Sequence, residues 1–179
     1  LFLPLFSYEQ ETQTVVPRLV ESYTVSEDGL VYTFLLRAAV QWVRFISGEV
    51  EPVRSVTAED AVSVLHRRCQ AVDYILEAYR AIQGCNGNPQ ASGIQVVDET
   101  TFTITLTEPA SYLPLTLTSP SVAPMPTAPA AGRTVPALED TVTNGPFVLQ
   151  SRKVEVDRYT FVFVRNPWLP EDLQGEGNV

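Results

Sequence analysis

The chain has 179 residues, and its 12 Lys and Arg against 21 Asp and Glu leave a net charge of -9, a field that repels phosphate backbones and anionic lipid and excludes nucleic acid as a partner. A 45% hydrophobic fraction with 18% charged residues describes a folded globule of one domain or two small subdomains, with 14 prolines assigned to long surface connections. No apolar run reaches the roughly 20 residues of a membrane helix, and the opening Leu1-Phe2-Leu3-Pro4-Leu5-Phe6 is too short and too poor in basic residues for a signal peptide.

In chain order, "YTVSEDGLVYTFLLR" predicts a hairpin turning at Asp28-Gly29, because Gly accepts the positive φ that a tight turn demands. Its second strand puts Tyr32, Phe34 and Leu36 on one face and Val31, Thr33 and Leu35 on the other, and at least one face must be core. Thr57 and Asp60 then form a capping box with Asp in place of Glu, and Ala58, Ala61, Val62, Leu65 and Cys69 recur at helical spacing, which predicts a helix over 58–70. A second amphipathic run, "DYILEAYRAIQG", carries Ile75, Tyr79 and Ile82 on one side and stops at Gly84.

Further on, "GIQVVDET" predicts a short strand ending in a turn at Asp98-Glu99. It should pair with "TTFTITLTEP", where Phe102, Ile104 and Leu106 alternate with threonines. Residues 119–140 hold prolines 120, 124, 126, 129 and 136, so they read as a surface excursion and the natural subdomain boundary. Two more strands follow, Phe147 to Arg152 and Tyr159 to Asn166. The second is apolar on both faces, which implies a covering layer. The polar ending "WLPEDLQGEGNV" reads as an interrupted chain, and a start without Met fits a processed or excised segment. The fold class is therefore α+β (mixed α/β), with antiparallel-rich sheets and a few packed helices.

Chemistry is sparse. His66 is the single histidine, mid-helix beside Arg67 and Arg68, and no nucleophile motif such as G-x-S-x-G supports a triad; it reads as a partly exposed helical residue. No P-loop or dinucleotide fingerprint occurs. Glu49 with Glu51, and Glu139 with Asp140, read as solvated surface charges rather than a hydrolytic acid pair. Cys69 and Cys85 with one His cannot complete a four-ligand zinc site, so they are either a disulfide or two buried thiols. Trp42, Tyr74, Tyr79, Tyr112 and Trp168 lie near element ends, where an aromatic ring serves either as a ligand platform or as cover for the core's edge. The inventory predicts no enzyme, no cofactor and no metal.

Several blocks in fixed order carry a family resemblance: "VVPRLVESYTVSEDGLVYTFLLR", then Trp42, "VTAEDAV", "VVDETTFTITLTEPASYLPLTLTSPSVAPMP", "TNGPFVLQ" and "RNPW". Together they resemble the extracytoplasmic solute-binding proteins of ABC transporters, family 5, the dipeptide and oligopeptide-binding type. Two departures stand out: "QWVRFISGEVEPVRSVTAEDAV" is a longer extended loop without the family's short Asp-Gly turn, its tip variable surface, and Trp168-Leu169 replaces a Tyr-Trp pair.

The resemblance implies part of lobe I of a two-lobed periplasmic-binding-protein-like fold. Residues 1–140 would form one lobe I subdomain and 141–179 the start of a second, with lobe II absent. It implies capture of a solute, by default a peptide, for import through an ABC permease, by a parent that is periplasmic or extracellular and anchored as a lipoprotein. The isolated segment should fold yet close on nothing. Ligand contacts in such proteins map loosely onto Tyr74 and Ile75 at the start of the second helix and onto Ser119, Pro120 and Ser121 after the Phe102 strand. The alternative is a self-contained extracellular protein-interaction domain with no transported ligand.

Overall fold

A computed structural model describes residues 1–70, 77–85, 92–126, 141–155 and 157–174. Among them the chain runs β1 (Phe6–Glu9), β2 (Thr14–Pro17), β3 (Val20–Val25), β4 (Val31–Leu36), β5 (Gln41–Ile46), β6 (Glu49–Ser55), α1 (Ala58–Gln70), α2 (Glu77–Arg80), β7 (Ile94–Val96), β8 (Thr101–Thr105), α3 (Leu113–Thr116), β9 (Phe147–Glu155) and β10 (Arg158–Arg165). Short 3-10 turns occupy Pro120–Val122 and Glu171–Leu173. The sheets are antiparallel, as the α+β reading expects. The chain divides into two units that interleave along the sequence. One comprises Pro4–Arg37 with Thr57–Met125, the other Leu1–Leu3, Ala38–Val56 and Pro126–Val179.

The first of these units is built on a four-stranded sheet in the order β3-β4-β8-β7. Alternation dictates its core face: Tyr32, Phe34 and Leu36 of β4 and Phe102 and Ile104 of β8 are all 4% exposed or less, while Thr101, Thr103 and Thr105 on the opposite face are half-buried. Tyr32 lies opposite Ile104 and Phe34 opposite Phe102, whose rings stack at 4.9 Å; Phe6 and Tyr23 extend the cluster around Phe34. Each such side chain contributes roughly 1.5–3 kcal/mol of burial, with about 0.5–1.5 kcal/mol more for a well-placed aromatic pair. Helix α1 packs against β7 and β8. Its start is secured by Asp60, whose carboxylate accepts from the Thr57 amide (3.0 Å) and hydroxyl (3.3 Å), the reciprocal half of the predicted capping box.

Turn chemistry closes the hairpins. Asp28 and Gly29 lie inside a connection from Ser26 to Leu30, longer than the two-residue turn the dipeptide suggests, with Gly29 at φ +74°. The Asp28 carboxylate accepts from the Ser26 hydroxyl and the Leu30 amide, and these bonds hold its pKa below the usual carboxylate value. Asp98 caps the β7–β8 turn by accepting from the amides of Thr100 and Thr101, both at 2.8 Å, and its pKa is likewise lowered. Gly93 is required by space: a Cβ there would come within 2.6 Å of the Thr105 carbonyl and 2.8 Å of that of Gln83. The Gly93 N–H donates to the Gln83 carbonyl and its carbonyl accepts from the Thr105 N–H, while Gln83 N–H donates to the Thr105 carbonyl, so the end of β8 is laced to the segment after α2.

In the other unit, residues 41–56 form the hairpin β5–β6 rather than an extended loop, turning at Ser47 and Gly48, both with positive φ. Trp42 is not a strand terminator. It is 1% exposed within β5, edge-on to Phe2 and 5.9 Å from the Arg54 guanidinium carbon. Val43 exchanges both backbone bonds with Thr143. The motif Thr143-Asn144-Gly145 gathers the chain's start: Leu3 N–H donates to Asn144 Oδ1 at 2.9 Å, and the Leu1 carbonyl accepts from Gly145 N–H and the Thr143 hydroxyl. Asn166, buried, donates to the Gly145 carbonyl at 3.0 Å.

Three expectations change. The covering layer predicted over Tyr159 to Asn166 is not found among the described residues: Tyr159, Phe161 and Phe163 are exposed, and β10 pairs only with β9 there. The Pro-rich stretch is core in part, not surface throughout, since Val122, Ala123 and Pro124 are buried between exposed Pro120 and Met125; residues 127–140 lie outside the described residues. The polar ending, read from the sequence as an interrupted chain without a cap, carries a 3-10 turn whose Leu173 is buried along with nearby Leu169.

Candidate functional site

The loop after β8 leads into α3 and then the 3-10 turn at Pro120–Val122. Leu113, Pro114 and Leu117 anchor α3 by their inner side, while Tyr112 and Leu115 stand outward at 45% and 48% exposure. Ser119 caps the next turn: its hydroxyl accepts from the Ser121 amide at 3.3 Å and lies 2.8 Å from the Ser121 hydroxyl. Val122 is fully buried beneath, and Pro120 is exposed. Arg68, in the last turn of α1, donates Nε–H to the Ser121 carbonyl at 2.7 Å, which ties the turn to the helix.

The helical side of the site is pinned covalently. Cys69 and Cys85 form a disulfide with Cα atoms 4.7 Å apart, joining the end of α1 to the turn after α2. Tyr79 on α2 is 2% exposed, and its hydroxyl reaches toward the Thr116 carbonyl at 3.5 Å. Burial pushes its pKa up to about 12. His66 lies 3.2 Å from the Ile94 carbonyl through Nε2, a structural contact.

Ser119, Pro120 and Ser121 thus share one turn. Tyr74 and Ile75 lie outside the described residues, within the sequence loop that the disulfide closes. Of the five aromatic candidates, Trp42 and Tyr79 are core, whereas Tyr112 and Trp168 are exposed; Trp168 is held by an Nε1–H bond to the Val50 carbonyl at 3.0 Å. Arg68 and Leu115 were missed by sequence reasoning. Pro114 near the start of a helix was the available signal for α3 and its outward residues.

Chemically, two hydroxyls bonded to each other, one of them also accepting the Ser121 amide, leave one hydroxyl hydrogen and two lone pairs unspent, a neutral surface suited to amide and carbonyl groups. Among the described residues no group of three His, Cys, Asp or Glu could hold a metal ion. Nor is any described helix long and apolar enough to cross a membrane.

Comparison with known proteins identifies the family. The family described as "Bacterial extracellular solute-binding proteins, family 5 Middle" matches residues 14–171. The dipeptide-binding protein of Escherichia coli (strain K12) is 32% identical over 113 residues, which is 61% of this chain and 21% of that protein. The oligopeptide-binding protein AliA of Streptococcus pneumoniae is 28% identical over 167 residues, covering 85% of this chain and 24% of its own. The crystal structure of Haemophilus influenzae OppA in complex with the peptide RPPGFSPFR shares the fold at a TM-score of 0.73 and 24% identity, covering 96% of this chain and 34% of that one. The chain therefore spans between a fifth and a quarter of the length of these curated relatives. With nine-tenths of the described fold inside the matched region, the chain belongs to the family 5 bacterial extracellular solute-binding proteins.

Proposed function

We propose that this chain is part of the ligand-capturing lobe of an extracytoplasmic solute-binding protein that delivers a short peptide to an ABC permease, from a parent held at the membrane as a lipoprotein. The reading rests on the family match over residues 14–171, and the names of the curated relatives favour peptides. The chain acts by non-covalent capture and has no catalytic role. Ser119, Pro120 and Ser121 offer a neutral hydrogen-bonding edge, and the family resemblance assigns Tyr74 and Ile75, outside the described residues, to the same solute. Affinity in a two-lobed clamp comes from burying the solute on both sides, so one lobe region alone binds weakly.

The test is isothermal titration with di- to pentapeptides. In a full-length protein carrying this segment, Ser121→Ala and Tyr74→Ala each weaken binding about fivefold, the loss expected for one neutral hydrogen bond of about 1 kcal/mol. Unchanged affinity in both variants removes these residues from the site, and tight saturable binding by the 179-residue chain alone contradicts the two-sided mechanism. A second reading, an extracellular interaction domain with no transported ligand, draws on the exposed apolar face of β9–β10. A stable protein complex without peptide affinity in the full-length protein would favour it.

A further inference from the structure

Residues 113–122 carry the serine turn, and the two helices that the disulfide joins grip this segment at both ends. Helix α1 packs against the Pro120–Val122 turn, and α2 packs against α3. At one end Arg68 Nε–H donates to the Ser121 carbonyl at 2.7 Å; at the other the Tyr79 hydroxyl reaches toward the Thr116 carbonyl at 3.5 Å. Ser119 lies between those two carbonyls in sequence, and all of these residues belong to one unit of the fold.

The two grips are anchored differently. The chain just past α2 is tied into the sheet by backbone: Thr107 N–H donates to the Ala81 carbonyl at 2.7 Å and Gln83 N–H to the Thr105 carbonyl at 2.9 Å. Arg68 instead stands in the last turn of α1, where carbonyls run out of helical partners and helices fray. Cys69 beside it is bonded to Cys85, just beyond Gln83, so the cystine carries the sheet's rigidity to the end of α1. The Arg68 bond costs the rotamer freedom of a long side chain, and it forms more readily the less the helix end itself moves.

We propose that the Cys69–Cys85 disulfide is a positioning element for solute: it stills the end of α1, keeps Arg68 on the Ser121 carbonyl, and so holds the serine hydroxyls in one arrangement. Its bearing on solute rests on the serine turn being a contact, as proposed above. A dithiol reverses the device: the S–S bond breaks, each sulfur gains one proton and one electron, and the dithiol loses two of each as it closes into its own disulfide. Solute affinity is thereby coupled to the redox state of the pair, and bound solute makes the disulfide harder to reduce by the same factor. A disulfide that served stability alone would act on the whole fold and independently of Arg68.

The first measurement needs no solute. In the oxidised 179-residue chain, hydrogen exchange at Arg68 Nε–H, followed by NMR, should be at least about 10-fold slower than at the neighbouring exposed Arg67. Cys69→Ala with Cys85→Ala should bring that ratio close to one. Should the alanine pair leave no folded chain, Cys69→Val with Cys85→Ala, which refills part of the sulfur volume, is read the same way. A ratio that survives loss of the disulfide overturns the proposal.

The second measurement is titration of trialanine into folded full-length protein carrying this segment, where affinity does not follow global stability. The cysteine pair variant and Arg68→Ala should each weaken binding about fivefold, and the three substitutions together no more than either. Arg68→Lys, which keeps a donor, should retain most of the affinity. Losses that multiply show the disulfide acting apart from Arg68 and overturn the proposal. If Arg68 is freed in the first measurement and trialanine affinity is unchanged, the turn is not a solute contact: the transport reading of these serines fails while the brace stands.

Discussion

Removing the Cys69–Cys85 bond by the double substitution Cys69→Ala and Cys85→Ala tests how much of this unit's stability is covalent. The cysteines are 16 residues apart in sequence. Closing a loop of that size removes about 10 cal/mol/K of chain entropy from the unfolded ensemble, or about 3 kcal/mol at 25 °C. Against the total of about 5–15 kcal/mol typical of a domain, that is a large share. With a urea m-value of about 2 kcal/mol/M, the midpoint of unfolding should fall by about 1.5 M.

Reductant offers a control that keeps both sulfur atoms in place. Cys69 and Cys85 are 0% and 3% exposed, so dithiothreitol added to the native protein should act slowly, limited by opening of the fold. Refolding from the reduced, denatured state should give the low midpoint at once. If the doubly substituted chain and the refolded reduced chain both unfold at the oxidised midpoint, the loop is not closed in the folded protein and the argument fails.

Three further outcomes are expected. Gly93→Ala should cost about 1–3 kcal/mol in urea unfolding, because the new methyl meets the Thr105 and Gln83 carbonyls, which are held by backbone bonds. Asp98 has a folded pKa below its unfolded value, so its contribution is present above about pH 4 and is lost as the pH falls through the folded pKa; Asp98→Asn should flatten the stability curve in that acid window. Tyr79, raised to about 12 by burial, contributes fully below about pH 10 and loses its contribution as the pH rises to 12. Tyr79→Phe should delete a late step from the tyrosinate absorbance titration while sparing the earlier ones.

Local signals carried far where the period was clean. The alternation in "TFTITL", the Thr57 to Asp60 cap and the β7–β8 turn at Asp98 all appear where the residues put them, because each depends on neighbours within a few positions. The β5–β6 hairpin was missed because its turn is Ser47-Gly48, outside the familiar Asn-Gly and Asp-Gly pairs, and because Pro52 interrupts the second strand. The alternation at β10 was read correctly as apolar on both faces, but cover over such a strand depends on groups remote in sequence. The serine turn could be located through family resemblance, yet its tie to Arg68 spans 53 residues and has no local signature.

The seam at the centre of the sheet has a consequence for synthesis. Phe34 on β4 is opposite Phe102 on β8, 68 residues later in the chain. At about 5–20 residues per second, a ribosome takes roughly 3–14 s to supply the second half of that seam. Throughout that interval the nascent β3–β4 hairpin presents Tyr32, Phe34 and Leu36, and the unpaired inner edge of β4, to whatever lies nearby. The newborn chain is therefore most adhesive just before Phe102 emerges, and a holding chaperone that recognises extended aromatic segments has its natural target in residues 31–36.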